Sequence, residues 1–465
     1  MIGGLNRLAA CSSAAAAILY LFGTAPVAAG DLGGTCCVDL EERVAELEAT
    51  TARKGNRKVS VTLSGQVNTA VMFWDDGIRG NTYGVDNGVT RSALSFDGNA
   101  KISADWTAGF TLVIAMTTGA RSHQTSQIDD DGGATGDSNS VIELANWYLE
   151  SKRLGRLSVG RINGASSATT IVDLGGIGVI ANAQVGLWNA GMFLTQGAAM
   201  ASTGGAPAAP TNFVLGTWGA LMGGTLVHTS GLNRSNGVRY DTPTVAGFYA
   251  STAWGEDEMW DVALRYAGEF AGFRVAAAAA YTKNVCGSND CNDTAPFAAA
   301  TGLVKDADIR KWQGSASVLH IASGAFLSGS FVNVSYEGDT AAEAPGGLRR
   351  PDTKLWYLAG GVSKNWFGIG ATAVYGEYAR VNDGATGLTI QGAAVGDGNL
   401  LTDSSVKVWG LGVVQNIDAA AMELYVSYRK YSAEVVTAPV GLGGPFVSGD
   451  LNDFDVVMGG GRIRF

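Results

Sequence analysis

Hydrophobic and polar positions alternate with a period of two along most of this chain. The closing residues show it most plainly. Counting back by twos from Phe465 gives Ile463, Gly461, Gly459 and Val457, all apolar or small, while the intervening face carries Arg464 and Arg462. A strand shows successive side chains to opposite sides. One side here suits hydrocarbon; the other suits water. The same pattern begins at Val59. Val59, Val61, Leu63, Gly65, Val67, Val71 and Phe73 face one way, and Ser60, Thr62, Ser64, Gln66 and Asn68 the other. Leu94, Phe96, Gly98, Ala100 and Ile102 then alternate with Ser95, Asp97, Asn99 and Lys101, and Phe110, Leu112, Ile114 and Met116 mark a third strand. Further strands are predicted near 141–150, 155–161, 235–241, 247–254, 259–266, 273–281, 309–319, 325–336, 354–363, 368–378, 405–415, 422–431 and 454–465. They bring the total to about sixteen, each near the length that spans a bilayer when tilted.

The connectors carry a second signal, because short and long ones alternate. Residues 104–107, 241–244 and 364–367 are short; 75–90, 117–140 and 380–404 are long and rich in Asp, Gly, Asn and Thr. A barrel of hairpins has short turns on one side of the membrane and long loops on the other. A soluble β-sandwich gives no reason for that alternation. One connector, 162–234, runs to about seventy residues, and a loop of that length is normally functional. Its first half is apolar (Ile171, Val172, Ile177, Val179, Ile180, Leu187, Trp188, Met192, Phe193, Leu194) with Asp173 as its one acid. Bulk water suits such a segment poorly, so it is expected to fold against the inner wall of the barrel.

Composition sharpens this picture. Only 16% of the 465 residues are charged, 66 are glycine, and mean hydropathy is +0.12, too low for a helical membrane protein. A formal charge of -10 argues against nucleic acid as a partner. Residues 1–29 read as a signal peptide: Arg7, an apolar run from Ala14 to Phe22, and small residues to Ala29. A lipoprotein box at Leu8–Cys11 competes, but the apolar run lies on the wrong side of Cys11. Residues 30–58 form a periplasmic leader in which Leu40, Val44, Leu47 and Thr51 follow helical spacing, either as an amphipathic helix packed on something larger or as a small coiled coil between copies. Residues 59–465 form the barrel. Cys286 and Cys291 suit a loop disulfide in an oxidising compartment, while the adjacent Cys36 and Cys37 do not suit each other and could cross-link subunits.

The chain resembles the alphaproteobacterial outer-membrane porin family over nearly its whole mature length. Four segments carry the likeness: Cys36-Cys37-Val38-Asp39-Leu40 running on to Lys58–Val67, Gly155–Arg161, Val238–Pro243 with Gly247-Phe248, and the closing Arg462–Phe465. The resemblance implies an all-β, sixteen-stranded antiparallel transmembrane barrel. Its third long loop folds inward as a constriction, and it assembles as a homotrimer in outer-membrane lipid and lipopolysaccharide. It further implies that the terminal Phe465 is read by the barrel-insertion machinery. The long connector falls where that constriction loop belongs. Such loops tend to carry several acids, and Asp173 alone puts a cation preference in doubt.

The candidate chemistry follows from the pore. Solute passage depends on width and on charge at the narrowest point. Arg91, Arg239, Arg265, Arg274, Arg429, Arg462 and Arg464 are expected to point inward, with some of Arg91, Arg239, Arg265 and Arg274 facing Asp173 across the constriction; pairing with wall acids is the competing reading. Residues 176–181 resemble a dinucleotide-binding glycine pattern but lack a strand–helix–strand setting. Asp129-Asp130-Asp131 lacks calcium-loop spacing, although bridging to lipopolysaccharide is conceivable. No metal and no cofactor is expected. His123, His228 and His320 are scattered and give little support to a barrel enzyme. Phe73-Trp74, Trp106, Trp147-Tyr148, Trp254, Trp260, Trp366-Phe367 and Tyr428 read as interfacial girdles. The expected function is passive diffusion of small hydrophilic solutes and ions; a non-channel envelope anchor or adhesin is the alternative.

Overall fold

The computed structural model describes residues 58–116, 121–127, 141–195, 217–224, 234–255, 259–286, 307–337, 351–386, 389–390, 399–439 and 449–465. The signal peptide, the leader with Cys36 and Cys37, Asp129–Asp131, His228 and Cys291 lie outside the described residues, as does the side chain of Cys286.

Sixteen strands close one antiparallel barrel. They are β1 (Ser60–Asp75), β2 (Ala93–Lys101), β3 (Trp106–Ala115), β4 (Val141–Ser151), β5 (Gly155–Ile162), β6 (Ser235–Asp241), β7 (Phe248–Gly255) and β8 (Trp260–Phe270). There follow β9 (Phe273–Cys286), β10 (Ala307–His320), β11 (Ala325–Glu337), β12 (Thr353–Lys364), β13 (Thr372–Asn382), β14 (Asn399–Ile417), β15 (Met422–Pro439) and β16 (Phe454–Arg464). Each pairs with the next, and β16 returns to β1 from Gln66 opposite Arg464 to Asp75 opposite Asp455. Closure leaves no unpaired edge, as hydrocarbon surroundings demand. Three short strands lie beyond the wall pattern. Gly80–Asp86 folds back on the upper half of β1, Thr389–Ile390 pairs with β14, and Gly449–Asp450 pairs with β15.

The turns at one rim are tight. Ala271 and Gly272, both at positive φ (50° and 82°), join β8 to β9 in the backbone shape that suits a two-residue hairpin. The strand expected near 368–378 starts only at Thr372, because Gly368 (φ 75°) and Gly370 (φ 144°) keep the chain turning. Wall height is uneven: β5 and β6 have 8 and 7 residues, whereas β14 and β15 have 19 and 18.

Facing follows the alternation. On β1, Val67, Val71 and Phe73 are exposed outside, while Asn68, Ala70, Met72 and Trp74 are buried inside. Trp74 is therefore not part of the girdle; it stacks on Phe454, ring centroids 6.3 Å apart and 13° from parallel. Trp147, Trp254, Trp260, Trp366 and Phe367 are exposed. On β16, Ile463 and Phe465 are exposed and Arg462 is buried inside, but Phe454, Val456 and Met458 on that inner face are apolar. They meet the inward loop rather than water.

Candidate functional site

The connector between β5 and β6 enters the barrel and is pinned to the wall by side chains. A loop inside a barrel has no strand neighbour, so its backbone polar groups need other partners. Asp261 accepts from Ala165 N (2.9 Å) and Ser166 N (2.7 Å), and also from the Ser166 hydroxyl. Arg265 Nη2 donates to Ala165 O (2.5 Å) and Ser167 O (2.7 Å). Gln313 donates to Ser166 O at 2.8 Å, and Ser315 to Thr169 O at 2.7 Å. Further down, Val172 N and Leu174 N donate to Ser315 and Ser317 hydroxyls, each at 3.1 Å. Inward polar positions of β8 and β10 thus act as rungs that fix the loop's descent.

Asp173 ends the descent. Its carboxylate accepts from Gly175 N (2.7 Å), Ile177 N (2.7 Å) and Gly178 N (2.8 Å), closing a turn. Burial pushes its pKa above the ordinary carboxylate range despite those donors. The glycine pattern at 176–181 is this turn. From Ile177 to Leu194 the loop turns apolar and packs on the inner face of the tall wall, with Ile180, Trp188 and Met192 fully buried against residues such as Met72, Tyr431, Phe454 and Met458. Beneath lies a buried ion pair. Arg429 Nε and Nη2 reach Glu377 at 2.7 and 2.8 Å, and the guanidinium sits 4.3 Å from the Trp188 ring centroid. Tyr431 donates its hydroxyl to Val185 O at 2.7 Å. Nothing periodic in the sequence marks Glu377, Asp261 or Gln313 as loop anchors; Arg429, Arg265 and Arg239 stand out only as inward arginines.

Arg91, Arg239, Arg265 and Arg274, some of which are expected from the sequence to face Asp173, go to three places. Arg239 pairs with Asp241 (2.7 Å) and donates to Asn163 O and Gly164 O, beside Arg265 at the loop's root. Arg91 pairs with Glu143. Arg274, half-exposed next to the tight β8–β9 turn, pairs with Glu269 at 2.5 Å, so it belongs to the rim of short turns. Each has a nearer acid than Asp173, whose own oxygens are spent on the turn.

Arg91 belongs to a denser cluster that sequence reasoning missed. Arg234 Nη2 lies 3.4 Å from Glu143, and Arg91, Arg121 and Arg161 all act electrostatically on Arg234. Arg121 bridges to Asp86 through the backbone. Four guanidiniums thus share two carboxylates. Burial, then the neighbouring Arg91, push Arg234 down to about 10. The Nε atoms of Arg121, Arg161 and Arg234 are buried without a hydrogen-bond partner among the described residues. His320 packs at a tilt against Phe273 and bonds Ser323 at a tight turn, away from this cluster. Among the described residues no group of acids, Cys and His is placed to hold a metal ion.

A closed barrel with a lipid-suited exterior, a loop pinned inside it and charged groups along the interior is a membrane channel. A model of the Gram-negative porin family matches residues 8–435, and the chain belongs to that family. It is a general outer-membrane porin and not an enzyme. No curated protein matches it. Among solved structures it is similar to the anion-selective porin of Comamonas acidovorans, with 16% identity, coverage of 88% of this chain and 100% of that one, and a TM-score of 0.51. It is also similar to a loop L8 deletion mutant of OmpT from Vibrio cholerae (14%, 88% and 100%, 0.47) and to OmpF of Salmonella typhi in complex with daunomycin (12%, 88% and 98%, 0.44). The likeness to the Comamonas porin supports the sixteen-stranded closed barrel.

Proposed function

We propose that this porin passes small hydrophilic solutes with a preference for anions. The observation that carries this reading is the cluster of Arg91, Arg121, Arg161 and Arg234 around Glu143 and Asp86, which leaves an excess of positive charge. Rings of charge of one sign set ion preference in a pore. Asp173 shapes the loop instead of presenting a carboxylate, and Arg239 and Arg265 hold the loop's root. The test is the reversal potential across a planar bilayer in a potassium chloride gradient. Anion preference is expected, and replacing Arg121 and Arg234 by Gln should move the potential toward zero. Strong cation preference of the unaltered protein would sink the reading.

We also propose a homotrimer. A strand of eight residues tilted as in such barrels rises roughly 20 Å, less than the ~25 Å apolar band it must cover. The low wall around β5 and β6 therefore gains from burial against other copies. Membership of the alphaproteobacterial branch belongs to this proposal too, supported by the likeness of the leader with Lys58–Val67, of Gly155–Arg161, of Val238–Pro243 with Gly247-Phe248, and of the closing Arg462–Phe465. The signal peptide, the leader helix, a Cys286–Cys291 staple and recognition of Phe465 by the insertion machinery belong to the same proposal. Thiol alkylation of the exported protein with and without reductant tests the staple: labelling only after reduction supports it.

A further inference from the structure

The inner face of β2 to β5 carries a carboxylate and a guanidinium on either side of one tyrosine. Register fixes which side chains point inward. Val61 is exposed outside, and Gly98, Phe110, Trp147 and Val159 continue its row from strand to strand. Faces alternate along each strand, so the neighbouring Asp97, Thr111, Tyr148 and Ser158 point inward, as does Arg156. Across the barrel the inner face is sealed under the loop, with Tyr431, Phe454 and Met458 buried. Asp97, Thr111, Tyr148 and Arg156 stay half-buried, so they border the water-filled part of the lumen.

The fold holds each of these groups in place. The Tyr148 ring lies over Gly109, where an added Cβ would collide with ring atoms Cζ and Oη. The Arg156 guanidinium covers that ring, its carbon 3.6 Å from the centroid. Arg156 Nε donates to Ser158 Oγ at 3.3 Å, so the side chain runs toward the long connections. That direction leads away from Glu150 and Asp241, which stand opposite Arg156 in the register. Asp241 is engaged by Arg239. A guanidinium lying on an aromatic face keeps its in-plane N–H fork for a carboxylate. Asp97 accepts from Ser95 Oγ at 2.7 Å and Thr111 Oγ1 at 2.9 Å, which fixes its carboxylate and leaves lone pairs to spare. Asp97 stands opposite Thr111 and is the diagonal neighbour of Gly109, a spacing of roughly 7–8 Å between backbones. Asp97, Glu150 and Arg156 all act electrostatically on the Tyr148 hydroxyl. The juxtaposition is two anchored charges of opposite sign with a phenol between them, on a wall that faces water.

We propose that this patch is a subsite for zwitterionic α-amino acids, with the solute's carboxylate on Arg156, its ammonium on Asp97 and the Tyr148 hydroxyl between them. Opposite fixed charges favour a solute that carries both charges in the matching order. The proposal goes beyond the ion preference argued above, which a solute without net charge does not register.

The test is single-channel recording of the refolded full-length protein in potassium chloride, with L-alanine or the uncharged lactamide of similar size added to the bath. Lactamide should lower the current only as far as it lowers the conductivity of the bulk solution. L-Alanine should add a further reduction that saturates with concentration. Asp97→Asn and Arg156→Gln should each raise the half-saturating alanine concentration about tenfold or more, as expected for the loss of one hydrogen bond to a charged group. Tyr148→Phe keeps the ring beneath Arg156 and should weaken alanine less than Arg156→Gln does. Stepwise insertion in alanine-free salt shows that each variant is folded, and the comparison of alanine with lactamide on the unaltered protein decides without any variant. A saturable effect of alanine no larger than that of lactamide, or one unchanged in both charge variants, would overturn the proposal. The reversal potential of the same channels reads the anion preference separately, so either reading can fail while the other stands.

Discussion

Gly65 and Phe465 exchange both backbone hydrogen bonds, Gly65 N to Phe465 O at 2.9 Å and Phe465 N to Gly65 O at 3.1 Å, and this pair closes the barrel. The Phe465 ring lies over Gly65, where an added Cβ would come within 2.7 Å of ring atom Cζ. The terminal aromatic is thus seated by a residue without a side chain on the first strand.

Phe465→Ala, or a charged tail after Phe465, should lower the yield of assembled barrel in the membrane. The molecules that do assemble should conduct normally, because the ring faces outward, away from the channel. Gly65→Val should act in the same direction by displacing the ring. Cell fractionation followed by single-channel recording checks both halves; unchanged membrane yield would contradict the reading of this terminus.

The buried pair of Glu377 and Arg429 should be costly to break and cheap to replace. Glu377→Gln leaves a guanidinium uncompensated beneath the loop and should cost about 3–5 kcal/mol. Replacing both partners by Leu and Met should cost much less. Unfolding in denaturant, followed by the mobility shift of the heat-sensitive barrel, measures the difference. A double variant as unstable as the single one would contradict the account.

Trp188→Ala should loosen the inward loop. The side chain is fully buried, donates Nε1 to Ile180 O at 3.1 Å and supports Arg429. Removing a buried Trp costs about 3–5 kcal/mol. The expected result is a larger, noisier single-channel current; an unchanged trace would show that the loop does not narrow the path.

Asp173 should matter as an acceptor more than as a charge. Asp173→Asn keeps an acceptor in the turn, whereas Asp173→Ala leaves three backbone N–H groups without one, at about 1–3 kcal/mol for each left buried. The sign of the pH effect follows from burial. A carboxyl whose folded pKa is raised contributes stability that is present below its unfolded pKa and is lost as pH rises through the folded one. Acidification therefore should not release the loop through this group. Recordings at neutral and mildly acidic pH should show quiet currents for Asp173→Asn and noisy ones for Asp173→Ala at both; acid-induced opening that depends on Asp173 would contradict this.

The wall was legible because alternation is a local signal: Val67, Val71 and Phe73 announce an outer face without any knowledge of their partners. The interior was less so. Trp74 and Phe454 sit where a girdle or a wet lumen was expected, and both face inward onto apolar packing because the loop returns past them. That contact joins residues far apart in sequence and leaves no period. For the arginines, pairing with wall acids was one of two readings the sequence allowed, but which acid each meets was illegible, since pairing with Asp241, Glu143 or Glu269 depends on strand register. The short strand Gly80–Asp86 escaped notice because it pairs with β1 within a connector already read as polar loop.

Planar-bilayer recording of the pure, refolded full-length protein tests the central claim most directly. A water-filled barrel narrowed by a loop fixed on its inner wall predicts stepwise, ohmic current increments as molecules insert. Repeated insertion of folded protein without such increments would contradict it.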